Sequence, residues 1–200
     1  MTRAQTSACR STCHSVPAFV IPGEVEESLT ISPLKKRLEM SRSEPGLAYS
    51  LDMTKVLVIA DTHNKLPSII CELARGADEI WHLGDVCDGW IVDELSALGP
   101  PLTLVRGNCD SNYEWPLLCD LTRNGIRFRL QHISPSPSQP VDCDILLHGH
   151  THVPRDEMIG GVRFLNPGCV TRPNRGSPAS VAWLEFDDDG NLTGELKSLR

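Results

Sequence analysis

In the middle of the chain, short apolar runs alternate with segments of helical spacing, and this alternation restricts the fold more than any other feature. KVLVIA (55–60), DEIWHLG (78–84) and PLTLVRG (101–107) have the continuous apolar character of strands that are buried on both faces. LPSIICELARG (66–76) and IVDELSALG (91–99) lie between them with helical spacing. Strands that alternate with helices predict parallel pairing and an α/β fold.

The second half of the chain carries the signals of antiparallel pairing. CDLTRNGIRFRLQH (119–132) consists of two alternating runs joined by Asn-Gly, the strongest short hairpin signal. RDEMIGGVRFLN (155–166) and SVAWLEFDDDGNLTGELKSL (180–199) indicate two further hairpins, which turn at Gly-Gly and Asp-Gly, and DILLHG (144–149) indicates another buried strand. Two mixed sheets packed face to face, with helices outside, accommodate both halves of the chain.

The first 52 residues differ from the rest of the chain. They are rich in Ser, Thr, Pro and Arg and show no sustained period of a helix or a strand, which predicts a disordered extension. Only SPLKKRLEM (32–40) has the spacing of a short helix. The segment is weakly similar to an organelle transit peptide, but a tail or an upstream start-codon artefact fits it better. We therefore predict one domain, over residues 53–200, and a cytoplasmic location.

The net charge of −7 lies in the predicted domain, because residues 1–52 carry equal numbers of acidic and basic side chains. An acidic body repels nucleic-acid polymers and suits bound cations. The eight cysteines contain no C-x-x-C pair, which is typical of reduced thiols in the cytoplasm. Apolar runs are too short to cross a bilayer, so no membrane partner is expected.

Residues that bind metals follow five of the predicted strands, at the end where each strand stops. Because the carboxyl ends of strands in an open α/β sheet share one edge, these side chains should meet in one crevice. Asp-x-His and His-x-His pairs would each aim two ligands to the same side if their backbone is extended. Glycines at 84, 107 and 149 leave room for close backbone approach. The seven candidate ligands are Asp61, His63, Asp85, Asn108, His132, His150 and His152.

This mixture of donors indicates two divalent cations rather than a structural zinc ion. Seven nitrogen and oxygen ligands exceed the four that structural zinc uses. Carboxylate, amide and imidazole together suit a pair of Mn, Fe or Zn ions that share a bridging carboxylate. Each of these residues alone has an ordinary explanation, such as a turn cap. Only their combination, with each ligand after a predicted strand, indicates a metal site. His82 and His148 precede glycines, and we expect both to be buried structural histidines.

The same residues resemble the calcineurin-like metallophosphoesterases over residues 55–198. GNCD (107–110) and NPGC (166–169) are similar to the small phosphodiesterase branch, which includes the retromer small subunit. The resemblance implies a four-layer sandwich of two mixed β-sheets flanked by helices. It also implies a binuclear centre with Asp85 as the bridge, most simply of manganese, with Fe, Zn or Ni as alternatives. Asp61, His63, Asp85 and His152 would hold one ion, and Asp85, Asn108, His132 and His150 the other.

The resemblance further implies a metal-bridging hydroxide that attacks phosphorus while His63 stabilises the growing charge. Its implied catalytic residues here are Asp61, His63, Asn108, Cys109 and Asp110. Cys109 stands where many relatives have a histidine that protonates the leaving group. A thiol is a weaker acid for this task, which predicts slow turnover that favours good leaving groups such as aryl phosphodiesters.

Two further positions depart from the family pattern. Many relatives have a helix after the residue matching His132, but residues 133–143 contain three prolines and cannot hold it. The second cation should therefore be bound more loosely, or the cleft should be wider. Cys169 replaces a serine in a loop that we expect to support the site.

The sequence favours a metal-dependent phosphodiesterase that acts on a small molecule. The alternative class is a non-catalytic scaffold on the same fold, like the retromer subunit, and exposed apolar patches would favour it. A third interpretation is a mononuclear or structural metal protein. Arg106 and Arg172 are candidate phosphate contacts, and the four tryptophans are too scattered to form a base-stacking platform. The sequence leaves the oligomeric state open, a homodimer included.

Overall fold

The structure, a computed structural model, describes residues 53–136, 138–187 and 191–199. The predictions for residues 1–52, including the helix over 32–40, lie outside these residues. Within the described residues, no helix is long and apolar enough to span a membrane. The elements in chain order are β1 (Thr54–Ile59), α1 (Ser68–Ala74), β2 (Glu79–His82), α2 (Trp90–Ser96), β3 (Leu102–Leu104), β4 (Leu118–Arg123), β5 (Ile126–Gln131), β6 (Ile145–Leu147), β7 (Arg155–Ile159), β8 (Val162–Asn166), β9 (Ser180–Phe186) and β10 (Leu192–Ser198).

The strands form two mixed five-stranded sheets, which confirms the predicted fold class. The first sheet has the order β10-β9-β1-β2-β3, in which β1, β2 and β3 run parallel. The second has the order β4-β5-β6-β8-β7, in which β5, β6 and β8 run parallel. The three predicted hairpins are present as the antiparallel pairs β4–β5, β7–β8 and β9–β10.

The central strand β1 is buried on both faces, as its continuous apolar run predicts. Val56 and Val58 pack in the core that also contains Phe128 of the second sheet. Leu57 and Ile59 face the opposite side and pack under the two helices. Burial of both faces fixes the register of β1, because a shift by one residue would exchange the two sets of side chains.

The core between the sheets is centred on an aromatic group. The Phe128 ring lies edge-on to Trp81 at 5.2 Å and to Phe186 at 5.7 Å between ring centroids. Such edge-to-face pairs add about 0.5–1.5 kcal/mol beyond the burial of their area. These rings join the two sheets and so fix the relative position of the strand ends that carry the candidate ligands.

The outer faces of the two sheets are covered differently. Both α1 and α2 pack on the first sheet, through Ile70, Ala74, Ile91 and Leu95. The outer face of the second sheet packs Leu146 and Phe164 against Cys143 and Val141 of an irregular segment. No helix occurs in the described residues of 133–143, which confirms that this segment cannot hold the helix of relatives. The fourth layer is a loop.

Candidate metal centre

The carboxyl ends of β1, β2, β3, β5 and β6 bring all seven predicted ligands to one edge of the sandwich. The side chains differ in exposure. Asp61, His63, Asp85 and His132 are buried, His152 is half-buried, and Asn108 and His150 are exposed. The group is therefore a buried carboxylate and imidazole cluster with an open side.

Three imidazole nitrogens surround one carboxylate oxygen of Asp61. Its Oδ1 lies 3.4 Å from Nε2 of His152, 3.9 Å from Nε2 of His63 and 4.0 Å from Nε2 of His132. The Nε2 atoms of His63 and His152 are themselves 3.1 Å apart. Oδ1 is buried and has no hydrogen-bond partner among the described residues. A buried carboxylate oxygen without a partner costs free energy unless a cation or proton compensates it.

Asp85 joins this group to a second set of donors. Its Oδ2 lies 3.8 Å from Nε2 of His63, and its Oδ1 lies 3.4 Å from Nε2 of His132. The same Nε2 of His132 is 3.1 Å from Oδ1 of Asn108. Asp85 therefore lies between the two predicted ligand sets, in the position that a bridging carboxylate requires.

His150 approaches the cluster from the end of β6. Its ring centroid lies 5.3 Å from that of His132, and its backbone N–H donates to Oδ2 of Asp61 at 3.1 Å. The His150 ring is exposed, so it lies on the solvent side of the second ligand set.

Backbone carbonyls fix the tautomers of two of these histidines. Nδ1 of His132 donates to the carbonyl of Leu83 at 2.8 Å, and Nδ1 of His152 donates to the carbonyl of Arg172 at 2.6 Å. A carbonyl can only accept, so Nδ1 carries the proton and Nε2 presents a lone pair to the centre. This is the arrangement that orients histidine ligands around metal ions.

The two carboxylates have opposite pKa shifts. Burial raises the pKa of Asp61 to about 6, and the nearby His132 and His152 offset only part of this effect. Burial also acts to raise the pKa of Asp85, but the neighbouring His132 imidazole and the hydrogen bond that the Cys109 amide donates hold it below its usual range. Asp85 is thus ionised at neutral pH, and Asp61 is the carboxylate whose charge most needs a cation.

Most of these ligands reach the centre from a left-handed backbone. Asp61, His63, Asp85, His150 and His152 have φ of 58°, 44°, 56°, 70° and 59°. The prediction of extended backbone at the Asp-x-His and His-x-His pairs is therefore wrong, although the pairs do converge. Positive φ is unfavourable for residues with a Cβ, and such residues concentrate at functional sites.

The three predicted glycines allow the loops to pack closely. A Cβ on Gly107 would lie 2.1 Å from Oδ1 of Asp85, and one on Gly84 would lie 2.6 Å from the Gly107 nitrogen. A Cβ on Gly149 would meet Oδ2 of Asp61 at 3.0 Å. The close backbone approach at these positions is to neighbouring loops of the protein, and approach to a bound group stays a prediction.

The donor set fits divalent cations. Two groups of three ligand atoms within 4.8 Å of one another occur here, one of Asp61, His63 and His152 and one of Asp61, Asp85 and His132. The buried Oδ1 without a partner and the two lone pairs of His132 and His152 point to the same centre. Neutral nitrogen and carboxylate oxygen donors are those that Mn, Fe and Zn accept.

The carboxylate of Asp110 is hydrogen-bonded to the backbone of two loops. It is buried and accepts the N–H groups of Asp85, Cys87 and Gly107 at 3.0, 2.6 and 2.7 Å. Both oxygens thus contact the two loops that carry Asp85 and Asn108. This geometry supports a positioning role, and the catalytic role of Asp110 stays a prediction. The Cys109 thiol, by contrast, is exposed at the centre, where it accepts from the Asn108 amide at 3.3 Å.

His82 and His148 are buried structural residues, as predicted. Nε2 of His82 lies 3.1 Å from the Thr62 hydroxyl, and its Nδ1 accepts from the Gly84 N–H at 3.1 Å. Burial lowers the pKa of His82 to about 3 and that of His148 to about 4, so both are neutral. The burial of both residues is thus confirmed, but among the described residues Nε2 of His148 has no hydrogen-bond partner.

The prediction that the Cys169 loop supports the site agrees with two contacts. The Cys169 thiol donates to the Asp61 carbonyl at 3.1 Å, and the Thr171 hydroxyl lies 3.2 Å from the same oxygen. Asn166, the first residue of the NPGC motif, donates its amide to the Gly149 carbonyl at 2.8 Å. Sequence reasoning missed Thr171, because a hydroxyl in a loop carries no spacing signal that would have identified it.

Sequence reasoning also missed Cys87, although a signal was present. Its sulfur lies 3.6 Å from Nδ1 of His63. Asp85 and Cys87 have the same separation of two residues as Asp61 and His63. The sequence had been interpreted only as placing Cys87 among reduced thiols without a C-x-x-C partner.

Two clefts border the candidate centre. The first, of about 410 Å³, is lined by Asn108 and His132 together with Arg106, Tyr113 and Ile133. The Arg106 guanidinium lies 4.7 Å from the centroid of the Tyr113 ring. The second cleft, of about 470 Å³, is lined by His150 with the more polar Ser134, Thr151, Asn174 and Arg175 among others.

Comparison with known proteins identifies the family. The calcineurin-like phosphoesterase superfamily domain matches residues 54–189. Phosphodiesterase YfcE of Escherichia coli is 29% identical over 164 residues, which cover 68% of this chain and 89% of YfcE. A probable metallophosphoesterase of Methanothermobacter thermautotrophicus is 30% identical over 149 residues, 66% of this chain and 86% of that protein. The structure of Vacuolar Protein Sorting 29 from Cryptosporidium parvum superposes with a TM-score of 0.58 at 24% identity, covering 74% of this chain and 99% of that one.

The chain belongs to the calcineurin-like phosphoesterase superfamily. Its similarity to YfcE confirms the prediction of the small phosphodiesterase branch. Phosphoric ester hydrolysis at a divalent-metal site is the activity class that this family and the clustered Asp and His residues support.

Proposed function

We propose that the protein is a divalent-metal-dependent phosphodiesterase that acts on a small molecule. One observation carries the proposal: within the part of the chain that the structure describes, the buried Oδ1 of Asp61 has no hydrogen-bond partner, and three imidazole Nε2 atoms lie 3.4–4.0 Å from it. Side chains that only stabilised the fold would pair this oxygen with a donor. The arrangement is suited to a cation.

Two cations would be held with Asp85 between them. Asp61, His63 and His152 would complete one ligand set, and Asn108, His132 and His150 the other. When bound, such ions lower the pKa of water to about 7 and neutralise the charge of a phosphoryl group. Manganese suits the mixed carboxylate, amide and imidazole donors, and Fe, Zn and Ni are the alternatives.

The protein's own groups hold these donors in place before substrate arrives. Asp110 ties the Asp85 and Asn108 loops together through three backbone amides. The carbonyls of Leu83 and Arg172 orient His132 and His152. Donors that are fixed in advance need no reorganisation when negative charge develops on the phosphoryl group.

The two clefts support a diester rather than a monoester. A phosphodiester carries two organic groups on one phosphorus atom, and two clefts border the centre. The cleft beside His132 offers an aromatic and apolar wall with one guanidinium, and the cleft beside His150 contains the guanidinium groups of Arg155 and Arg175. Volumes of about 410 and 470 Å³ accommodate small groups, within the usual range of ligand sites.

The acidic body argues against a polymeric substrate. The net charge of −7 repels a polyphosphate backbone along the surface that surrounds the centre. A small diester in contact with the cations does not experience this repulsion along an extended surface. We therefore place the substrate among small-molecule phosphodiesters.

A second candidate function is the non-catalytic scaffold, and one observation favours it. Tyr113, Leu117 and Ile133 are 80%, 62% and 51% exposed beside the first cleft. Exposed apolar side chains in one region are typical of protein-binding surfaces. The same side chains can form the wall that receives an apolar group of the substrate, so activity decides between the two functions.

The test is hydrolysis of bis(4-nitrophenyl) phosphate by metal-stripped protein with and without added Mn²⁺, together with elemental analysis. The proposal expects two metal equivalents and turnover that depends on them. The matched control is Asp88→Asn, which removes an exposed carboxylate outside the ligand set and should leave activity unchanged. Two bound equivalents without turnover of any diester would transfer the assignment to the scaffold.

A further inference from the structure

Two cysteine thiols lie next to His63, beside the candidate centre. The sulfurs of Cys87 and Cys109 and a ring nitrogen of His63 all lie within 4.8 Å of one another. Nδ1 of His63 is the nitrogen next to Cys87, whereas its Nε2 faces Asp61, Asp85 and His152. These thiols are not among the donors assigned to the two proposed ions.

We propose that Cys87, Cys109 and Nδ1 of His63 form a separate binding site for a thiophilic divalent cation of the Zn²⁺ and Cd²⁺ class. Zinc–sulfur and zinc–nitrogen bonds of about 2.3 and 2.0 Å at a tetrahedral angle place the two donor atoms about 3.5 Å apart. The observed separation between the Cys87 sulfur and Nδ1 is 3.6 Å. A fourth position stays open for water, because Cys109 is exposed.

Negative charge beside this site favours a cation. The carboxylates of Asp85 and Asp110 act on both thiols. The backbone N–H groups of Cys87 and Cys109 donate to Asp110 at 2.6 Å and to Asp85 at 2.8 Å, so both carboxylates are close enough to attract a divalent ion. On binding, each thiol releases its proton to solvent, and the ion accepts one lone pair from each sulfur and one from Nδ1.

The grouping is specific to these two cysteines. In the part of the chain that the structure describes, Cys71, Cys119, Cys143 and Cys169 belong to no such cluster of metal-binding side chains. Cys71 lies on α1, on the outer face of the first sheet, and is half-buried like Cys87. It therefore provides a matched control.

Occupation of this site opposes occupation of the proposed centre. A neutral imidazole has one lone pair, so His63 can serve a cation through Nδ1 or through Nε2 but not both. A thiophilic ion on Nδ1 leaves a proton on Nε2 and removes His63 from the Asp61 and His152 set. This antagonism between the two sites rests on the proposed function. It predicts that Zn²⁺ or Cd²⁺ inhibits the Mn²⁺-loaded enzyme.

Binding is tested directly with the full chain, in a background of Cys9→Ser and Cys13→Ser so that residues 1–52 supply no thiol. Cd²⁺ is titrated while the ultraviolet absorption of cadmium–thiolate bonds is recorded, a signal that nitrogen and oxygen ligands do not produce. The expected result is saturation at one equivalent with two thiolates. Both Cys87→Ser and Cys87→Ala should weaken this binding at least about tenfold, and Cys71→Ser should leave it unchanged. An undiminished signal in both Cys87 variants would overturn the proposal.

Inhibition is measured separately on Mn²⁺-loaded protein. The Cd²⁺ concentration for half-inhibition should rise at least about tenfold in Cys87→Ser and stay constant in Cys71→Ser. If no variant hydrolyses any diester but the absorption signal still depends on Cys87, the proposed function fails and the thiophilic site stands. If activity is present and Cd²⁺ inhibition is the same in all variants, the antagonism is refuted.

Discussion

The two halves of the candidate metal centre are built differently. The Asp61 half is enclosed, because Asp61 is 0% exposed and its neighbour His63 is 9% exposed. The Asn108 half also contains the buried His132, but its other two donors, Asn108 and His150, are exposed. The comparison indicates one site that the fold prepares in advance and one whose outer donors are held more loosely.

The covering of the two sheets accounts for this difference. The loop after β1 hydrogen-bonds both the loop after β2 and the Cys169 loop, on a sheet that is backed by two helices. After β5, the chain continues into an irregular segment in place of a helix. Looser binding of the second cation stays a prediction, and the variants described next test it.

The largest effect is expected from Asp85→Asn, because Asp85 belongs to both halves. Loss of one carboxylate charge beside His63 and His132 should lower kcat/KM on the order of a thousandfold and remove both metal equivalents. Steady-state kinetics and elemental analysis of the same sample measure the two effects. Retention of one tightly bound ion would show that Asp85 does not bridge.

The halves should separate in a pair of variants. Asp61→Asn should weaken the tight ion about a hundredfold and leave the weak one, since it removes the buried charge of the enclosed half. Asn108→Ala should weaken only the loose ion, by about tenfold. Calorimetric titration with Mn²⁺ resolves the two classes, and equal losses in both variants would contradict the asymmetry.

The enclosed half should also respond to pH. Because the pKa of Asp61 is raised to about 6, a proton competes with the tight ion below that pH. Affinity should be constant above it and fall about tenfold per pH unit below it. Titration of Asp61→Asn provides the control, since this variant should lose the inflection. An inflection that persists in it would assign the proton to another group.

Cys109 lies in the Asn108 half of the centre, and a better proton donor at this position should raise the rate for poor leaving groups. Cys109→His should raise kcat for alkyl diesters by about tenfold or more, because imidazole protonates a poor leaving group at neutral pH. Little change is expected for nitrophenyl diesters, whose leaving group needs no proton. Cys71→Ser is a control for cysteine replacement away from the centre. An unchanged rate with poor leaving groups would contradict a role for this position in protonation.

The smallest effect is expected in the first cleft. Tyr113→Ala should raise KM for aryl diesters about two- to fivefold, the size of one exposed aromatic or cation–π contact. Values for methyl esters should stay unchanged. Tyr113→Phe keeps the ring and should behave like the wild type. A loss of kcat instead of a rise in KM would place Tyr113 in the chemistry rather than in the cleft wall.

Much of this arrangement could be predicted from residue pattern because it depends on strand ends. The apolar run before Asp61 and the Asn124-Gly125 hairpin before His132 indicate where each strand stops. Packing of the two sheets then brings the carboxyl ends of these strands to one edge of the sandwich. The left-handed backbone at Asp61 and Asp85 could not be predicted, because these conformations are imposed by contacts between loops distant in sequence.

Roles that depend on hydrogen-bond partners also could not be predicted from the sequence. Asp110 has the motif position of a catalytic residue, yet its oxygens face backbone amides of two loops. Cys87 shows the reverse case, since its spacing from Asp85 was visible but the rotation of the His63 ring toward it was not. Side-chain direction is decided by tertiary packing.

The central claim is that seven side chains from five strand ends hold two divalent cations. A crystal structure of the Mn²⁺-loaded protein, with anomalous scattering recorded for manganese, tests it most directly. Two peaks should appear on either side of Asp85, one beside Asp61 and His152 and the other beside Asn108 and His132. A single peak away from Asp85, or none at saturating Mn²⁺, would contradict the claim.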